Sequence, residues 1–95
     1  MAFSFLATGA TTVTTGATKI YSTNEDAEMR AINNGGTNTL FIGNSGVTSA
    51  NGFPIAPAGT LQMTAGDFTH AGVYNGEMWA VVTTGTNAVR TMESQ

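Results

Sequence analysis

Cysteine is absent from this 95-residue chain. That removes disulfides, thiolate metal sites and a cysteine nucleophile together. Charge is nearly as scarce, at 9% of residues against about 25% in ordinary globular domains. The basic residues are Lys19, Arg30 and Arg90, too few and too dispersed to neutralise a phosphate backbone, so nucleic acid is not expected as a partner. No apolar run approaches the roughly 20 residues of a membrane helix, and no membrane partner is expected. The opening Met1-Ala2-Phe3-Ser4-Phe5-Leu6-Ala7 lacks the basic start and the apolar length of a secretory signal. This predicts a product made in the cytoplasm and used without export signals. Helical periodicity is also missing, because twelve glycines interrupt the chain every few residues and leave no interval for a long amphipathic helix.

Thr, Asn, Ser and Gly fill the polar positions instead. A free monomer commonly carries more charge than this to stay soluble, so a neutral but not greasy surface suits packing against other protein. The length allows one core, with about 60–65% of the unfolded surface buried. Without a covalent staple, contacts between copies are the expected source of further stability. The acidic cluster Glu25, Asp26 and Glu28 reads as a solvated turn and strand start.

Short Thr/Val-rich runs bounded by Gly and Asn are the pattern of strands and turns. Thr11–Thr15 and Thr18–Ser22 read as two strand segments broken at Gly16-Ala17. The next strand runs from Glu25 to Asn33, with Ala27, Met29 and Ala31 on one face and Glu28, Arg30 and Ile32 on the other. Asn33-Asn34-Gly35-Gly36 reads as a hairpin turn, since Asn and Gly take positive φ easily. Thr39–Gly43 is then the return strand, apolar enough for burial on both faces. Residues 44–59 read as a long crossover between sheets with Phe53 and Ile55 tucked beneath it, and Pro57-Ala58-Gly59 as a turn placing proline before a positive-φ glycine. Thr60–Thr64 is a strand with Leu61 and Met63 facing one way. Met78–Thr83 is strongly apolar, with Trp79 expected in the core. Thr86–Met92 sets Ala88, Arg90 and Met92 against Asn87, Val89 and Thr91. The fold class is all-β: a small β-sandwich or barrel of about 7–8 short antiparallel strands with a Greek-key or jelly-roll path.

Residues 1–12 read as an N-terminal arm and 13–95 as one β domain. The apolar arm either docks on a neighbour or forms an ordinary first strand over one end of the sandwich. The first alternative makes Phe3, Phe5 and Leu6 partner-binding residues, joined by Phe53 and Ile55 from the long connection.

Little here supports chemistry. The single histidine, His70, has Asp67 three residues away, two candidate ligands with no third. The carboxylates Asp67, Glu77 and the Glu25/Asp26/Glu28 group carry no glycosidase signature beyond being carboxylates. Gly43-Asn44-Ser45-Gly46 lacks the Gly-Lys-Ser/Thr of a phosphate loop. Tyr74 and Trp79 could form a sugar platform. No catalytic residue, metal site or cofactor is expected, and the chain is not expected to be an enzyme.

The order of Ala31-Ile32-Asn33-Asn34-Gly35-Gly36-Thr37-Asn38-Thr39-Leu40-Phe41-Ile42-Gly43, then Gly46-Val47-Thr48-Ser49-Ala50-Asn51-Gly52-Phe53-Pro54-Ile55, then Ala58-Gly59-Thr60, Trp79-Ala80-Val81 and Ala88-Val89-Arg90 is similar to small β-rich virion structural proteins of tailed bacteriophages. The resemblance spans roughly residues 13–92 and is one of layout. It implies a capsid decoration or cement protein on the capsid surface, bound to the major capsid protein and to copies of itself as a trimer or other cyclic oligomer. The alternative is a host-surface or carbohydrate-binding module of a fibre or tail.

Overall fold

The structure, a computed structural model, describes residues 6–64 and 76–94. Among these it contains eight strands: β1 (Leu6–Val13), β2 (Thr18–Tyr21), β3 (Met29–Asn34), β4 (Leu40–Gly43), β5 (Phe53–Ile55), β6 (Thr60–Thr64), β7 (Met78–Val81) and β8 (Asn87–Ser94). They form two four-stranded antiparallel sheets, a first ordered β1-β8-β3-β6 and a second ordered β2-β7-β4-β5. The pairs β1–β8, β2–β7, β3–β6 and β4–β5 nest inside one another like one long folded hairpin. The β3–β8 and β4–β7 pairings roll that hairpin into two layers. This nesting is a jelly roll, one of the paths expected from the strand count and the long connection.

Period-two alternation selects the inward faces. Arg30, Ile32 and Asn34 of β3 and Asn87 and Val89 of β8 are buried, while Met29, Ala31, Ala88, Arg90 and Met92 face the other way. Leu61 and Met63 pack together against the core, as their spacing predicted. That core gathers Val13, Ile20, Tyr21, Ile32, Leu40, Ile42, Ile55, Met78, Ala80, Val82 and Val89 between the sheets. Ile20 and Tyr21 are consecutive and both buried, which a regular strand forbids. A register shift against β7 between Lys19 and Tyr21 turns both inward, the ordinary effect of a bulge.

Four local expectations differ from the structure. Asn33–Gly36 is not a hairpin: β3 and β4 belong to different sheets, and residues 35–39 carry the chain across. The side chain of Asn34 is the reason. Its Nδ2 donates to the carbonyls of Asn38 and Ile55 at 2.9 Å each, and its Oδ1 accepts from Asn87 Nδ2 at 2.8 Å. Gly36 lies hard against Asn87, where a Cβ would overlap that side chain. The crossover expected over 44–59 is confined to 56–59, because residues 53–55 pair with β4 as strand β5. Trp79 is half-buried on the outer side of its sheet, while Met78 and Ala80 on either side of it are buried. Finally, the positive φ of the Pro57 turn falls on Ala58 (66°), not Gly59. Ala58 N donates to Asn34 O, and Asn34 N donates to Gly59 O, both at 2.9 Å. This extension of the β3–β6 ladder sets the turn one residue early.

Alanine in the left-handed region costs about 1–2 kcal/mol, and glycine's extra unfolded-state freedom returns about 0.4–1 kcal/mol of any gain. Ala58→Gly is therefore expected to stabilise the domain by about 0.5–1 kcal/mol, raising its thermal midpoint by a few degrees. A lower midpoint in a thermal melt would contradict the turn geometry.

Candidate functional site: an uncovered sheet face

The densest polar chemistry among the described residues lies inside the sandwich. Arg30 is fully buried. Its Nε donates to Glu93 Oε2 at 2.6 Å, its Nη1 to Gly76 O at 2.6 Å and its Nη2 to Ser22 O at 2.7 Å. The guanidinium carbon stands 4.4 Å from the centre of the Tyr21 ring, a cation–π distance. The Tyr21 hydroxyl reaches from β2 to the opposite sheet, 2.7 Å from the carbonyl oxygens of Ala31 and Met92, and shares its one proton between them. Burial, opposed by those hydrogen bonds and by the nearby Arg30 charge, pushes the Tyr21 phenol up to about 12. The other buried polar group joins Asn34 and Asn87 to the carbonyl of Asn38 and the amide N–H of Gly36. Both clusters are closed by the chain's own groups. They are ties between strands, not ligand sites.

The two outer faces differ. On the second sheet the loop 44–52 folds back on its own strands: Val47 is buried and lies against Gly43 and Gly52. The loop is held by Thr48 N to Asn51 Oδ1 at 2.8 Å and Gly52 N to Thr48 O at 2.8 Å. No described residue covers the outer face of the first sheet. There the register aligns Ala10, Arg90, Asn33 and Thr60 in one row across four strands, and Thr8, Met92, Ala31 and Gln62 in the next. These rows line most of an open concavity of about 740 Å³. Its one charged lining residue is Arg90, which forms no ion pair among the described residues. Lys19 is bridged to Glu77 at 3.6 Å and Arg30 to Glu93. An open, nearly uncharged shelf of small apolar and hydroxyl groups around one guanidinium suits broad contact with another protein surface more than an enclosed small ligand.

Of the residues predicted to bind a partner, the described ones, Leu6, Phe53 and Ile55, are not brought together. Phe3 and Phe5 lie outside the described residues, as do Asp67, His70 and Tyr74. Leu6 begins β1 and is 57% exposed. The rest of the expected arm within the described residues, 7–12, is also β1, paired with β8 without a break. Phe53 is 60% exposed on β5, an edge strand of the other sheet. Ile55 is 5% exposed and belongs to the core. Its alternation with Pro54, opposite Leu40, commits it to the interior. Sequence reasoning missed the shelf formed by Thr8, Ala10, Ala31, Arg90 and Met92. The faces of β3 and β8 were read correctly, but nothing local shows that these faces adjoin.

The site and fold thus define a jelly-roll domain with one sheet face that no described residue covers. Comparison with family models, with curated proteins and with solved structures finds no match.

Arg30→Ala leaves Glu93 without its cation and two carbonyls without their donor. It should cost about 3–5 kcal/mol, as for other broken buried pairs. Arg30→Lys cannot span the same three acceptors with one ammonium and should recover only part of that loss, as read from urea midpoints. For Tyr21, the folded-state pKa of about 12 lies above the unfolded value of about 10. The neutral phenol's contribution is intact below pH 10 and is lost as pH rises from 10 to 12. Wild type should lose up to about 2–3 kcal/mol more than Tyr21→Phe across that window. Parallel pH profiles of the two chains would contradict the assignment.

Proposed function

We propose that this chain is a virion structural protein, a capsid decoration protein of a tailed bacteriophage that packs on the major capsid protein, and that it has no catalytic role. The observation that carries the reading is the bare first-sheet face, with Arg90 as the one charge lining its concavity, on a chain with little charge anywhere. A protein spread over a repeating shell needs a broad, low-charge contact surface and a compact body. The layout resemblance over residues 13–92 supplies the kind of shell. A second reading, a carbohydrate-binding module, draws on Trp79. Its indole is half-buried at the sheet surface beside Gly43, which adds no side chain to that flank.

Mass spectrometry of purified particles should find the protein at copy numbers comparable with the shell protein. A few copies per particle would overturn the proposal. Met92→Glu, at a partly exposed position on the shelf, should leave the melting temperature within a few degrees and abolish binding to shells that lack the protein. Unchanged binding by this variant removes the shelf from the interface. Retention of the wild-type chain on a glycan array, with no binding to shells, favours the second reading.

A further inference from the structure

We infer that the outer edge of β1, which no described strand pairs, pairs antiparallel with the same edge of a second copy, joining two first sheets into one eight-stranded sheet about a two-fold axis. Sheet edges display unpaired N–H and C=O groups that template another strand, and proteins blunt them by shortness, charge, proline or bulges. Among the described strands, two edges are blunted. β2 has four residues, carries Lys19 and is bulged. β5 has three residues, one of them Pro54. The described part of β6 has five residues and, like β1, no charge or proline, but it is the shorter edge. β1 has none of these protections. Its eight residues, Leu-Ala-Thr-Gly-Ala-Thr-Thr-Val, include no charge and no proline, and its register with β8 is unbroken. At about 3.4 Å per residue the edge is about 27 Å long.

The occupant that fits is β1 itself. An antiparallel two-fold centred on Gly9 sets Thr8 opposite Ala10 of the second copy, Ala7 opposite its Thr11 and Leu6 opposite its Thr12. Outward residues then meet outward residues, so both shelves stay on one side and become continuous across the axis. Every opposed pair is small or hydroxylated apart from Leu6, whose 57% exposure the neighbouring strand reduces. No like charges face each other. The contact buries less than the roughly 1,200–2,000 Å² of a standard stable interface, so the dimer is a weak one, formed at high protein concentration or where copies are held close together. This pairing does not depend on the shell-binding proposal. It is a two-fold form of the expected trimer or other cyclic oligomer.

The test is analytical ultracentrifugation of the full chain over a concentration series reaching the millimolar range. The wild-type mass should rise from 9.8 kDa toward twice that value. Thr8 and Thr12 are exposed and face outward, so Thr8→Lys/Thr12→Lys and Thr8→Glu/Thr12→Glu should keep wild-type melting curves. Each variant alone should stay monomeric through like-charge repulsion across the axis, and an equimolar mixture of the two should dimerise. A monomeric wild type at the highest concentration overturns the inference. So does dimerisation of either variant alone, which would place the contact at another edge, or failure of the mixture to associate.

Discussion

Arg30 determines how the two sheets of this jelly roll face each other. A fully buried guanidinium is tolerable only if its charge is paired and its N–H groups are bonded. Here the partners come from three different strands or their ends: the ring of Tyr21 on β2 and Ser22 just after it, Gly76 before β7 and Glu93 on β8. The Tyr21 hydroxyl then grips β3 and β8 where Ala31 stands opposite Met92. Few alternative stackings of the sheets would satisfy that set at once. The β2 bulge is a consequence, since without it Ile20 and Tyr21 could not both point inward.

The other polar tie uses neutral amides. Asn34 and Asn87 bond to each other and to the connection that carries β3 into the opposite sheet. Asn38 Nδ2 extends the network to the Thr84 carbonyl beside the positive-φ Gly85. A chain without cysteine has no covalent means of fixing its turns. These side-chain amides do so while adding no charge. Both ties are internal, so the outer surface is left with hydroxyls, small apolar groups and little charge.

That distribution links fold to function. The second sheet covers part of its outer face, at Gly43 and Gly52, with its own loop through Val47, whereas the first sheet presents Thr8, Ala10, Ala31, Asn33, Arg90 and Met92 on a shallow shelf. The shelf adjoins β1, the longest edge among the described strands, with no charge, proline or bulge. The proposed packing role draws on this combination of a broad face and an edge that no described strand pairs, both on the same sheet.

Several parts of the fold were legible in residue order, because alternation is a local property. The all-β class, the grouping of Arg30 with Ile32 on one face of β3, the Leu61/Met63 face and the division of β8 follow from side chains two residues apart lying on one face. Composition by itself also determined how little charge the surface could carry. Only the tertiary structure decided which faces adjoin, because strand pairing joins residues as distant as Leu6 and Ser94, and nothing in the local pattern encodes that choice. For the same reason Asn33–Gly36, with the residues of a hairpin turn, became a passage between sheets once Asn34 bonded to Asn87. Arg30, unremarkable in an alternating strand, became a buried tie because groups from three other strands converge on it.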